Sequence, residues 1–308
     1  VPSFVKSIDV IRAKLASLLN QNNLAKIICR VSSNNCDYPQ HGLLEASMIR
    51  HTFWTFVIFL PFFLNCWPVL ADDTSYVVGV LGDSISVAAN SSNPGNNSQY
   101  SWAGGMDSRQ RVVSHALRIK ALISRPLTVV NQAVSGSETK HLASQVEKLL
   151  PKKPDYVTLL IGANDLCRAS DPWTPSESVA HVRSAIDKLI GANVGVKIFL
   201  AAVPNMLHLR EIGAQNGCQG IWNLTNLCSP LLSSRRTEAD RIEFARKLDS
   251  LNLEMEAMAS SYPDNVRFDS TTAVYEFSWA NISKLDCFHP SIDGQNKLAE
   301  MTFDPSWN

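Results

Sequence analysis

Five short apolar runs constrain what this chain can fold into. Val77–Leu81, Leu127–Asn131, Tyr156–Ile161, Val196–Val203 and Asn265–Phe268 are each of strand length. A strand with one wet face alternates polar and apolar residues. The runs Val77–Leu81 and Tyr156–Ile161 barely alternate, so their strands must be covered on both faces, as in a parallel sheet. Between the runs, apolar residues recur at helical spacing. Val112, Ala116, Ile119 and Ile123 mark a helix over 108–124, and Leu142, Val146 and Leu149 a second. Val179, Val182, Ile186 and Leu189 mark a third, which Thr174-Pro175-Ser176-Glu177 opens as a capping box with proline at the first helical position. A long helix over 236–259 and a last one over Ile292–Met301 complete the series. Strand and helix alternate, which predicts one α/β domain with a parallel sheet between helical layers. Residues 90–106 read as a polar loop at the sheet edge, and 204–233 as an irregular, disulfide-closed segment.

The front of the chain is different. Residues 52–66 carry no charge, Arg50 and His51 precede them, and Val69-Leu70-Ala71 resembles a small-residue cleavage site. This pattern predicts a signal peptide over 48–71 cleaved near Ala71, and hence a secreted protein, extracellular or periplasmic. Pro61 and the shortness of the run argue against a membrane span. Residues 1–47, ahead of Met48, read as upstream or leader sequence outside the fold, leaving 72–308 as the working domain.

That domain keeps Cys167, Cys218, Cys228 and Cys287, an even set that in a secreted protein favours two disulfides among three connectivities. Cys218 and Cys228 are close in sequence and readily close a loop, which leaves Cys167 for Cys287; free thiols are the alternative. The chain has no Cys-x-x-Cys or His-rich spacing, so neither a metal nor another cofactor is expected. Its 28 basic and 28 acidic side chains balance, giving no ground for a nucleic-acid partner.

Four places carry chemistry. Gly82-Asp83-Ser84 follows the first run, Asn131-Gln-Ala-Val-Ser-Gly136 the second, and Ile161-Gly162-Ala163-Asn164-Asp165 the third. Asp286-Cys287-Phe288-His289 precedes the last helix. A carboxylate three residues before a histidine can orient the ring through one nitrogen, leaving the other to take a proton from a serine. An imidazole, titrating near pH ~6.5 in isolation, suits that task. Among the remaining histidines, His115, His141 and His181 read as helix-surface residues, and His208 falls in an irregular segment.

Taken together, Ser84, Gly136, Asn164 and His289, with Asp286 in an Asp-x-x-His arrangement, resemble the signature residues of the GDSL, or SGNH, hydrolases. Ile85 stands where the family name has leucine. Ile-Gly-Ala-Asn-Asp-Leu-Cys167, Asp-Cys-Phe-His289 and Ser101-Trp102 are most similar to the phospholipase-B-like branch. The resemblance implies a flavodoxin-like three-layer α/β/α sandwich around a five-stranded parallel sheet. It also implies a Ser84–His289–Asp286 triad acting on carboxylic esters, with an oxyanion hole from the N–H groups of Ser84 and Gly136 and the Asn164 amide. A Cys167–Cys287 bridge would tie the oxyanion loop to the histidine loop. The expected substrate is a small or lipid ester, with transient contact with lipid surfaces and a monomeric enzyme. Tyr100, Trp102, Met206, Leu207, Leu209 and Phe288 are candidates for an acyl groove. Two rivals are a carbohydrate or short-chain ester deacetylase on the same site and a non-catalytic secreted binding protein on this scaffold. Asn90, Asn96, Asn223 and Asn281 each begin an N-glycosylation acceptor sequence.

Overall fold

The computed structural model describes residues 75–168 and 174–307; the expected leader, signal peptide and cleavage site lie outside them. The five apolar runs become β1 (Tyr76–Gly82), β2 (Leu127–Asn131), β3 (Tyr156–Leu160), β4 (Lys197–Ala201) and β5 (Val266–Asp269). All neighbours pair in parallel, in the order β2-β1-β3-β4-β5. This is the flavodoxin-like order, in which chain direction across the sheet reverses between β1 and β3 and opens a crevice beyond their carboxyl ends.

Among the described residues, ten α-helices accompany the sheet. They are α1 (His115–Leu122), α2 (Leu142–Leu149), α3 (Ala163–Cys167), α4 (Pro175–Ala192) and α5 (Met206–Gln215). Then come α6 (Gln219–Thr225), α7 (Ser229–Leu232), α8 (Glu238–Ala259), α9 (Thr271–Val274) and α10 (Ile292–Thr302). Period-two alternation sends side chains of each strand to opposite faces. Leu81, Val157, Leu159, Ile198 and Leu200 join α2, α4 and α8 in one buried cluster, while Val78, Val80, Leu160 and Phe199 join α1 and α10 in the other. The result is the three-layer sandwich expected.

The Thr174–Glu177 capping box opens α4 as predicted. The helix expected over 108–124 starts only at His115. Asp107 accepts the N–H groups of Arg109 and Arg111 and holds a turn there, and the Ser114 side chain caps α1 through the N–H of Leu117. The segment expected to be irregular over 204–233 instead forms α5, α6 and α7.

His115, expected on a helix surface, is fully buried. Its Nδ1 pairs with the Tyr156 hydroxyl at 2.9 Å and its Nε2 with Thr302 Oγ1 at 2.8 Å. Burial, with the nearby Arg118 charge, pushes its pKa down to about 3, so the ring is neutral. Trp102, Phe199 and Phe303 stand edge-on around it at 5.0–5.3 Å. The late start of α1 rotates His115 inward. Far ends of the chain also meet: Gln295 on α10 accepts the Trp102 N–H at 2.9 Å and donates to Ile85 O at 3.0 Å.

Candidate active site

The turn after β1 begins at Gly82, whose φ of 139° is open to glycine and whose Cβ would lie 2.3 Å from Leu160 O. Gln145 on α2 fixes this turn, accepting the Gly82 N–H and donating to Gly82 O, each at 2.9 Å. The same amide donates to Ser137 Oγ at 3.1 Å, joining the turn after β1 to the turn after β2. Asn164, on the first turn of α3 after β3, donates to Ser137 O at 2.9 Å. Buried Asp165 completes this wall by accepting Thr139 Oγ1 at 2.6 Å and Ser178 Oγ at 2.7 Å. Residues from three strand ends are therefore hydrogen-bonded into one rim.

Asp286 and His289 come from the loop before α10. Asp286 Oδ2 accepts His289 Nδ1 at 2.6 Å, while Oδ1 accepts the backbone N–H groups of Phe288 at 2.9 Å and His289 at 3.0 Å. Oδ2 also accepts Asn90 Nδ2 at 2.6 Å. Asn90 belongs to the turns that follow Ser84, so this bond ties the serine segment to the histidine loop. Burial pushes the Asp286 pKa up, but the His289 hydrogen bond and charge, with the Asn90 donor, outweigh it and hold the carboxyl below its usual range.

Ser84, Asp286 and His289 are all at least nine-tenths buried, whereas Gly136 is exposed at the rim with a φ of 78°. Among the described residues, Ser84 Oγ and His289 Nε2 have no hydrogen-bond partner, and neither do the backbone N–H groups of Ser84 and Gly136. One N–H of the Asn164 amide is held by Ser137 O; the other is not engaged. A hydroxyl, a ring nitrogen and three N–H donors are thus left unpaired on the segments that form this edge. Such groups can serve as nucleophile, base and oxyanion donors.

Asp83, beside the serine, is fully buried. Its Oδ1 accepts the Ile85 N–H at 3.0 Å, and its Oδ2 has no partner among the described residues. Burial pushes this carboxyl up to about 7, against the Ile85 N–H and the His289 charge. Next to the site lies an apolar cavity of about 50 Å³ whose lining includes Ile85, Ala163, Met206, Leu209 and Phe288. Of the expected groove residues, Met206, Leu209 and Phe288 are there; Leu207 is not in the lining. Tyr100 and Trp102 belong instead to the core on the α1–α10 face.

The disulfides differ from the expected Cys218–Cys228 and Cys167–Cys287. The structure pairs Cys167 with Cys228 and Cys218 with Cys287. The seven residues of α6, about 10 Å of helix, intervene between Cys218 and Cys228, well beyond the ~4.4–6.8 Å Cα separation a bridge spans. Closeness in sequence misled because a helix occupies the gap. The two bridges interlace: one ties α3 to α7, the other ties the start of α6 to the residue between Asp286 and His289. Trp222 Nε1 reinforces the second by donating to Cys287 O at 3.3 Å.

Sequence reasoning missed Asn90 as a site residue. It stands 196 residues from Asp286 and reads locally as a turn and a glycosylation acceptor, so no local signal marks it.

The family model for GDSL-like lipase/acylhydrolase matches residues 78–301. Human membrane-associated phospholipase B1 is 28% identical over 154 residues, which is 45% of this chain and 10% of that protein. The chain thus spans about a tenth of the length of that relative. A protein from Parabacteroides merdae described as a GDSL-like lipase has a similar fold at 17% identity and TM-score 0.51, covering 74% of this chain and 94% of its own. The esterase EstA from Pseudoalteromonas sp. matches at 13% identity and TM-score 0.45, over 74% and 94% of the two chains. A five-stranded parallel sheet in this order, with the family model matched from within β1 to within α10, places the chain in the GDSL-like lipase/acylhydrolase family.

Proposed function

We propose that the protein is a secreted serine esterase acting on lipid esters through Ser84, His289 and Asp286. His289 Nε2 takes the Ser84 proton as Oγ attacks the ester carbonyl. Asp286 holds the ring by its other nitrogen and stabilises the imidazolium. The N–H groups of Ser84 and Gly136 and the free N–H of Asn164 receive the oxyanion. The imidazolium then protonates the leaving alcohol, and water hydrolyses the acyl-enzyme by the same route. The observation that carries this reading is the 2.6 Å bond from His289 Nδ1 to Asp286 Oδ2, which leaves Nε2 unpaired.

The apolar cavity beside Phe288 supports an acyl chain as the group recognised, which favours lipid esters over carbohydrate esters. Two disulfides support an oxidising compartment, and hence the predicted secretion. The test is a panel of acetyl, medium-chain and long-chain esters, lysophospholipids and acetylated sugars, with wild-type and Ser84→Ala protein in parallel. The expected result is activity rising with acyl length and absent from Ser84→Ala. Activity retained in Ser84→Ala overturns the triad, and preference for acetylated sugars overturns the lipid assignment. Failure of the folded wild type to react with a fluorophosphonate probe favours a binding protein instead.

A further inference from the structure

Asn90 Nδ2 lies 2.6 Å from the same Asp286 oxygen that receives His289 Nδ1. The rest of Asn90 is equally fixed. Its Oδ1 accepts the Gly95 N–H at 2.8 Å, its own N–H donates to Gly95 O at 2.8 Å, and its carbonyl accepts Ser283 Oγ at 2.5 Å. Its φ of 54° is left-handed, a conformation that asparagine tolerates and most other side chains resist. Two loops far apart in sequence thus hold one amide so that a single N–H meets one carboxylate oxygen. A merely structural turn needs only the Gly95 bonds. The bond to Asp286 is made by the amide nitrogen, which the Gly95 bonds do not use.

We propose that Asn90 is a positioning residue for the reaction, a fourth member behind the serine, histidine and aspartate, which sets the orientation of Asp286 and through it the ring of His289. Carboxylate orientation matters here because Oδ2 receives two side-chain donors. Without the Asn90 donor, Oδ2 keeps His289 Nδ1 alone and the backbone N–H groups on Oδ1 are left to set the carboxylate plane, so the terminal torsion, which is broad in aspartate, is held less tightly and the His289 ring with it. The proposal rests on the reading of Ser84, His289 and Asp286 above. It also assigns the Asn90-Ser91-Ser92 acceptor sequence: the nitrogen that would carry a glycan is the one donating to Asp286, so active enzyme has a bare Asn90.

Two substitutions separate this role from turn-making. Asn90→Gly keeps the left-handed backbone and removes the amide. Asn90→Asp keeps an acceptor for Gly95 and the tolerance for positive φ, but faces Asp286 with a second oxygen. Each should lower kcat about 10–100-fold, the range associated with a hydrogen bond to a charged group, with KM nearly unchanged. Asn90→Asp has a further signature. The groups around the new pair are Asp286, His289 and, beside the nucleophile, Asp83. As pH falls, the two facing carboxyls share a proton and an O–H···O bond replaces the lost donor. The ratio of variant to wild-type kcat should therefore rise several-fold between pH 8 and pH 5.5. A turn-only role leaves that ratio flat.

Ser84→Ala and Asp286→Ala are measured alongside with the same full-length chain. Activity in Ser84→Ala would overturn the triad reading itself. Inactive Ser84→Ala together with wild-type kcat in folded Asn90→Gly and Asn90→Asp would overturn only the role of Asn90. Peptide mapping of fully active enzyme from a glycosylating host provides a second, independent check: a glycan on Asn90 there refutes the proposal, and an unmodified Asn90 supports it.

Discussion

Replacing Cys167 and Cys228 together by serine should remove one bridge and leave the other whole. Cys167–Cys228 closes a separation of 61 residues and Cys218–Cys287 one of 69. In the chain-entropy account, loops of this length each restrict the unfolded chain by about 4 kcal/mol. At a guanidinium slope of about 4 kcal/mol/M, the double variant should unfold at a midpoint about 1 M lower than the wild type. Its unfolded form should titrate no more thiols than the wild type, because Cys218 and Cys287 stay joined. Esterase activity should persist below the new midpoint, since the bridge at the histidine loop is intact. The companion variant, Cys218→Ser with Cys228→Ser, should break both bridges, release two additional thiols and lose far more stability. If the pairing were instead Cys218–Cys228 and Cys167–Cys287, the thiol results would exchange places: two extra in the first variant and none in the second. That exchange, or a stability loss under about 1 kcal/mol in the first variant, would refute the reasoning.

Asn164→Ala should reduce kcat about 10²–10³-fold with little change in KM, read by steady-state kinetics on a soluble ester. Leu209→Trp, filling the apolar cavity, should lower kcat/KM for long-chain esters while sparing acetyl esters; equal loss for both removes the cavity from the acyl path. Folded His115 titrates at about 3, below the ~6.5 of an unfolded histidine, so its contribution is fully present above pH ~6.5 and falls as pH drops, by up to ~1.4 kcal/mol per pH unit. Urea denaturation of His115→Gln should show that acid-side slope flattened. Asp83 acts with the opposite sign: raised from 3.8 to about 7, it favours the folded state below pH 3.8, and that contribution is lost as pH rises through 7. Asp83→Asn should therefore gain stability relative to wild type as pH is raised from 4 to 8, and a constant difference would contradict a buried, protonated Asp83.

The layers were legible because their strands and helices carry local signatures. Tyr156–Leu160 is apolar at every position but Thr158, and a run of that kind has no alternative to a doubly covered strand. The candidates Ser84 and Asn164 come shortly after runs of that kind, so locating β1 and β3 placed them at the sheet edge, whereas Gly136 follows β2, a strand buried only in part. What the sequence concealed was set by tertiary contacts. The inward turn of His115 depends on the helix beginning at the Ser114 cap, later than the apolar spacing alone suggests. The helices α6 and α7 are only seven and four residues long, too short to announce themselves by periodicity, and α6 between Cys218 and Cys228 reversed the cysteine pairing. Asn90 required knowledge of what lies opposite it, which no window of sequence contains.

The hydrogen bonds from Gln295 to Ile85 and Trp102 bear on how the molecule comes into being. Ser84 precedes Asp286 and His289, proposed as its acid–base partners, by about 200 residues, and the helix that clamps its turn follows them, with 210 residues between Gln295 and Ile85. On the proposed triad, a nascent chain carries a silent serine until Asp286, His289 and α10 have been made and packed, and any chain cut short before α10 should be inert toward esters.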